Sequence, residues 1–230
     1  MQKLVVAITG ASGAVYSVRL LEVLLATGRD VHLAISPSGA AVLEEELGLK
    51  ADLENFQPES LAPTPDQYVT DTKLYFMRTA AGVSTGQSNV LEVSGKQPGT
   101  IQYHHYQDLM APIASGSYLT GGMVICPCSG STLAAIAHGT SGNLIHRAAD
   151  VHLKERRRLI LVPRETPLSI IQLDNMRRCV EAGAIVLPAM PGFYHEPKSI
   201  QDLVDFVVGR ICDQLEIPHS LMRRWGDGGE

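Results

Sequence analysis

The chain is expected to be an α/β protein on a central parallel sheet, because wholly apolar runs of strand length alternate with runs of helical spacing. The junctions carry the Ser, Gly and Pro signals that start and stop such elements. At 230 residues it is long enough to bury a sizeable core as one compact domain.

Residues 4–8 form the first apolar run. It stops at Thr9, Gly10, Ala11, Ser12 and Gly13, after which Val15, Val18, Leu21 and Leu25 recur at helical spacing until Gly28. Residues 31–35 are a second strand. Ser36 and Pro37 start a second helix, with Val42, Leu43 and Leu47 on its apolar face and Gly48 at its end. A β-α-β-α order favours right-handed crossovers and a parallel sheet.

Residues 49–108 break this rhythm with prolines and short apolar runs near Tyr75 and Val90, so an elaborated insertion is expected at about residues 50–105. Order returns with the small-residue loop 114–117, a strand over 122–126, and a helix from the turn at Pro127 to Ala137. Next come a helix from Arg147 into a short basic turn, and an apolar strand over 159–162 bounded by Pro163. A helix is expected to start at Thr166 and Pro167 and end at Gly183; a strand over 184–187, a helix from Ser199 to about Leu215 and a tail at about 216–230 complete the single domain. No internal repeat or low-complexity tract is visible.

Lys and Arg number 19 against 24 Asp and Glu, a net charge of −5, and the longest basic run, Arg156 to Arg158, lies beside Glu155. Nucleic acid is therefore not an expected partner. The four cysteines sit in apolar or helical contexts without a secretory signal, which argues against a disulfide framework. No apolar run approaches the roughly 18 residues of a membrane span, so a soluble, cytoplasmic protein is expected.

Chemistry concentrates at the loops. Gly10 to Gly13 can aim backbone N–H groups and a helix dipole at a phosphate, although a tight turn needs the same small residues. The sequence departs from G-x-G-x-x-G, and Ser36 stands where a dinucleotide site would place an acid, which favours a mononucleotide over NAD. The Ala114, Ser115, Gly116, Ser117 loop would let a flat ring or a phosphate approach its backbone, as would an ordinary turn. Cys126 and Cys128 lack a second pair and read as structural, and the histidines have no metal spacing. No metal is expected.

The stretch over 147–167 holds cations, two glutamates and the apolar strand in one run, and there the chemistry is expected. Arg164 and Glu165 follow a buried strand, where a charge pair is costly without a ligand or counter-charge. Tyr194 follows a third strand end, and on a parallel sheet these strand ends share one edge. Lys154 and Glu155, taken alone, also fit a solvated helix face.

Taken together, residues 10–13, 114–117, 126–129, 147–155, 164–167 and 191–195 resemble the UbiX-type flavin prenyltransferases. The resemblance implies a Rossmann-like (flavodoxin-like) three-layer sandwich that binds FMN between subunits of a homo-oligomer, a trimer or dodecamer. It further implies that reduced FMN is alkylated at N5 by dimethylallyl phosphate and closed at C6, without metal, and that the product serves a UbiD-type decarboxylase. Carried over by position, Gly10, Ala11, Ser12, Ser36, Ala114, Ser115, Gly116 and Arg147 would hold FMN. Lys154, Arg164, Tyr194, Arg210 and Trp225 would meet the donor. Glu165, Lys154, Glu46 and Ser12 are the catalytic candidates. A cysteine decarboxylase of the same fold would need a catalytic His that no strand end here provides; a non-catalytic flavin carrier is the other alternative.

Overall fold

In a computed structural model that describes residues 3–61, 98–222 and 224, β1 (Leu4–Ile8), β2 (Val31–Ile35), β3 (Ile101–Tyr103), β4 (Met123–Cys128), β5 (Leu159–Pro163) and β6 (Ile185–Val186) form one sheet. Its order is β3-β2-β1-β4-β5-β6, and every pairing is parallel. This is the doubly wound order, with its switch between β1 and β4. Every residue of β1, β2 and β5 is buried, as a sheet covered on both faces requires.

Strand alternation feeds two cores. Leu4, Val6, Ile8, Leu33, Ile35, Ile160 and Val162 pack with α1 (Ala14–Ala26), α2 (Pro37–Leu47) and α6 (Ile200–Gln214) on one face. Val5, Ala7, Met123, Ile125, Leu159 and Leu161 pack on the other with α3 (Gly130–Ala137), α4 (Leu144–Lys154) and α5 (Ile170–Glu181). The helices start where the sequence supplies oxygen caps: Ser36, Ser129, Asn143, Ser169 and Ser199 each accept a hydrogen bond from the first turn. Arg19 of α1, 2% exposed, forks onto Asp205 of α6 at 2.7 and 3.1 Å. Removing Arg19 would strand the buried Asp205 carboxylate, at about 3–5 kcal/mol, whereas Arg19 is also held by Glu22 at 3.1 Å.

The structure corrects the expected boundaries. Ile101–Tyr103, inside the expected insertion, is a strand of the central sheet, paired with Val31–Leu33 of β2. Leu49, Phe56 and Leu61 at the other flank are buried in the core; residues 62–97 lie outside the described residues. Strand β4 runs on through Pro127 to Cys128 by a shift of register against β5. Helix α4 begins at Leu144 because Asn143 caps it, and α5 begins at Ile170 because Ser169 and Gln172 form a capping box, three residues after Pro167. Among the described residues no helix is long and apolar enough to cross a membrane.

Three histidines, His32, His104 and His152, are buried within this frame among the described residues. Lys3 Nζ donates to the Tyr118 hydroxyl (2.7 Å), which therefore donates to His32 Nε2 (2.9 Å), leaving His32 Nδ1–H to donate to His104 Nε2 (2.8 Å). His152 bridges Thr120 and the Ala148 carbonyl. Burial lowers both His32 and His152 to about 4, with the neighbouring His104 adding to the effect at His32. In the unfolded chain they take up protons near 6.5, before the folded state does, so acid favours unfolding across that window. The urea midpoint should be level above about pH 7 and fall as pH drops from about 6.5 to 4. A midpoint unchanged at pH 4.5 would show that these histidines do not enter the folded state neutral.

Candidate functional site

The crevice at the β1/β4 switch is tied from below by Thr9. Its buried hydroxyl donates to the Pro127 carbonyl (2.8 Å) and accepts from the Ser129 amide (2.8 Å), holding the two strand ends together while their loops diverge. Ser36 N donates to the Ile8 carbonyl (3.0 Å), and α2 approaches so closely that a Cβ on Gly39 would meet Ile8 O at 2.5 Å and one on Gly10 would meet Ser38 Cβ at 2.3 Å. Those glycines are there for close packing of α2 on β1. Ala11 is buried and Ser12 is exposed.

The anion position at the start of α1 is already taken. Glu46 accepts from the Gly13 amide (3.1 and 3.0 Å) and the Ala14 amide (2.8 Å), so its carboxylate satisfies two first-turn donors and offsets the helix dipole. The phosphate expected there would meet a carboxylate instead. Among the described residues, the amides of Gly10 and Ser12 and the Ser12 hydroxyl have no acceptor or partner. Arg164, half-buried, donates from Nε to the Ser12 carbonyl (3.2 Å), which brings a cation to the same crevice. Glu165 follows it exposed, its carboxylate meeting, among the described residues, only the Thr166 amide at 3.3 Å; the partly desolvated setting expected of it is not present in the single chain.

Lys154 is elsewhere. It ends α4, whose following turn enters β5 at Leu159, whereas Arg164 leaves β5 at Pro163; the two lie at opposite ends of a strand roughly 13 Å long. The expected gathering of residues 147–167 into one place therefore does not occur within one chain. Around Lys154 a second cluster forms: its Nζ pairs with Glu155, a Cβ on Gly116 would meet Glu155 Oε1 and Lys154 Nζ, and Arg147 Nε donates to the Ala114 carbonyl (3.1 Å). Ser115 and Ser117 share a hydroxyl hydrogen bond at 2.9 Å in the same loop.

Tyr194 and Arg210 form a third group beside β6, the last strand of the sheet among the described residues. Tyr194 meets the Phe206 ring edge-on, with centroids 5.7 Å apart, and Phe206 and Arg210, one turn apart on α6, line a groove of about 310 Å³ with Leu187, Pro188 and Met190. Arg210 is held by Asp213 at 3.0 Å. Trp225 lies outside the described residues. Sequence reasoning missed Thr9 and Arg157, both of which act on backbone atoms and so carry no motif. The sulfur chemistry is quiet: burial pushes the Cys126 and Cys128 thiols up.

The donor set suits a flavin. Unsatisfied amides and a hydroxyl at Gly10 and Ser12, with a guanidinium beside them, match the acceptor-rich edge of an isoalloxazine and the oxygens of a phosphate. Glu46→Gln should cost about 0.5–2 kcal/mol in urea unfolding by removing the negative charge from the α1 terminus. Unchanged stability would mean that water serves those amides equally well.

Comparison with known proteins follows the same direction. The family described as Flavoprotein matches residues 1–212. A protein named flavin prenyltransferase UbiX from Halalkalibacterium halodurans is 46% identical over 222 residues, covering 96% of this chain and 92% of its own. One of the same name from Pseudomonas aeruginosa is 44% identical over 226 residues, covering 98% and 95%. Among solved structures, AnUbiX (PadA1) in complex with FMN and dimethylallyl pyrophosphate is 36% identical with a TM-score of 0.71, covering 100% of this chain and 99% of that one. A dodecameric FMN-dependent UbiX-like decarboxylase from Escherichia coli O157:H7 is 35% identical with a TM-score of 0.71, covering 97% and 98%.

Proposed function

Because this chain belongs to the Flavoprotein family, and within it to the UbiX flavin prenyltransferases, we propose that it transfers a dimethylallyl group from dimethylallyl phosphate to reduced FMN. The observation that supports this most directly is the β1/β4 crevice, where the open amides of Gly10 and Ser12 stand beside the Arg164 guanidinium. Ala11, Ser36, Ala114, Ser115, Gly116 and Arg147 complete the flavin contacts. Bound reduced FMN supplies the nucleophilic N5 and C6 that the allyl group joins.

Breaking the allylic C–O bond loads negative charge onto the departing phosphate. Fixed cations at Lys154, Arg164 and Arg210, with the Tyr194 hydroxyl, hold that charge without a metal. Glu165, next to Arg164 in sequence, is the group assigned here to accept the proton lost when the second bond forms. Glu46 serves the same crevice by fixing the Gly13 and Ala14 amides rather than by meeting the donor. The prenylated flavin passes to a UbiD-type decarboxylase.

Since Lys154 and Arg164 occupy opposite ends of β5, the site closes only when the β5 exit of one copy meets the α4 end of another, which makes the active form a homo-oligomer. Ile170, Ile171 and Phe193, 71, 69 and 69% exposed near the β5 and β6 exits, give that face the apolar surface such a contact needs. The donor reaction is tested anaerobically with reduced FMN and dimethylallyl phosphate, following phosphate release and the flavin spectrum. A carrier would bind and release nothing.

Glu165→Gln should retain FMN and donor, and form the complete product about 10²–10⁴-fold more slowly. Wild-type rates would assign the proton to phosphate or solvent. Lys154→Ala should keep FMN and lose turnover. Mixing the two inactive variants during refolding should restore about one quarter of the sites by random assortment of copies across a shared interface. No restored activity would place both residues in a site built by one chain.

A further inference from the structure

We propose that Arg157, which has no place in the site assigned above, is a positioning residue that acts through Lys154. Its guanidinium donates from Nη1 to the Tyr118 carbonyl (2.6 Å) and from Nη2 to the Gly116 carbonyl. It forms no ion pair with a carboxylate among the described residues. A half-buried cation thus directs its fork at two carbonyls of a single loop.

That loop carries Lys154 with it. Gly116 approaches the Lys154–Glu155 pair so closely that a Cβ there would stand 2.8 Å from Nζ and 2.3 Å from Glu155 Oε1. The Lys154–Glu155 pair, at the exposed end of α4, therefore packs against the Gly116 backbone, and the Gly116 backbone takes its own position from Arg157. The other end of the loop has a separate anchor: Arg147 holds the Ala114 carbonyl (3.1 Å), and the Ala114 and Ser115 amides donate to Ala111 and Pro112. Tyr118 is fixed a second time through its hydroxyl to His32. The division predicts that Arg157 governs the Lys154 side of the loop, with Gly116 the one flavin contact on that side, and leaves the Ala114 and Ser115 contacts to the flavin in place.

This inference rests on the assignment of Lys154 to the donor phosphate. A lysine at position 157 would keep the charge but not the planar fork needed to reach two carbonyls. In apo-protein, Arg157→Lys should raise amide hydrogen exchange at residues 116–118 by about tenfold with exchange in β4 and β5 unchanged. In the loaded protein it should lower kcat by about 10–100-fold, as expected for a cation displaced by about an ångström, with FMN affinity held within about threefold. In a Lys154→Ala background the same substitution should change the residual kcat by less than about twofold, because the two act as one unit. Gly116→Ala, which leaves Arg157 intact but intrudes on Lys154, should reproduce the kcat loss, and guanidinium added to Arg157→Ala should recover part of it.

Unchanged exchange at residues 116–118, or losses that multiply in the double variant, would overturn the proposal. Wild-type turnover in Lys154→Ala would instead remove the assignment it rests on. An inactive Lys154→Ala beside a fully active Arg157→Lys would sink the role of Arg157 alone.

Discussion

A single buried hydroxyl sets the spacing on which the site depends. Neighbouring strands in a sheet sit about 4.8 Å apart, yet a ligand crevice needs the loops above them to separate. Thr9 resolves this at the end of β1. Its Oγ1 takes the Ser129 amide and gives its own proton to Pro127, so the strand ends stay together up to the residue from which the loops part. Above that point α1 departs to one face of the sheet and α3 to the other, and the open donors of Gly10 and Ser12 lie between them. A threonine with both hydrogen-bonding capacities satisfied inside the core is cheap to keep and costly to lose.

The electrostatics are arranged by the backbone as much as by side chains. Glu46 neutralises the start of α1, Arg147 divides its fork between the Ala114 carbonyl and the Asp150 carboxylate, and Arg157 is directed at two carbonyls. The consequence is that several charges identifiable in the sequence are committed to holding loops. Arg164 is the exception at the crevice: one nitrogen is fixed to Ser12 and the rest of its fork remains half-exposed. Fixed donors of this kind suit a reaction whose main demand is the stabilisation of a leaving phosphate.

How far the sequence could be read depended on range. The strands, the caps at Ser36 and Ser199, and the glycine stops are local features, and β1, β2, β5, α2 and α6 fall where alternating periodicity puts them. Strand β3 was hidden because Ile101, Gln102 and Tyr103 are partly exposed at a sheet edge and lack an apolar run. The start of α5 was misplaced because Thr166 and Pro167 imitate a helix start, while the capping box that decides the matter comes three residues later. In the site, Arg164 beside Ser12 spans 152 positions, and Glu46 on Gly13 spans 33. No spacing rule reaches that far. The contiguous run over 147–167 looked like one place because it is one stretch of chain, but β5 passes through its middle and carries its two halves to opposite edges.

The strand order also governs when the protein can be finished during synthesis. Strand β1 pairs with β2 soon after it is made, but its other edge waits for β4; the Thr9 contact to Pro127 joins residues 118 apart. At about 5–20 residues per second, the ribosome leaves that edge unpaired for roughly 6–24 s. Throughout that interval Leu4–Ile8 is a wholly apolar strand with its hydrogen-bonding groups open on one side, a form prone to pair with another chain. The central strand of the finished sheet is therefore the most vulnerable element of the nascent one, and cellular yield should depend on what shields β1 until β4 emerges.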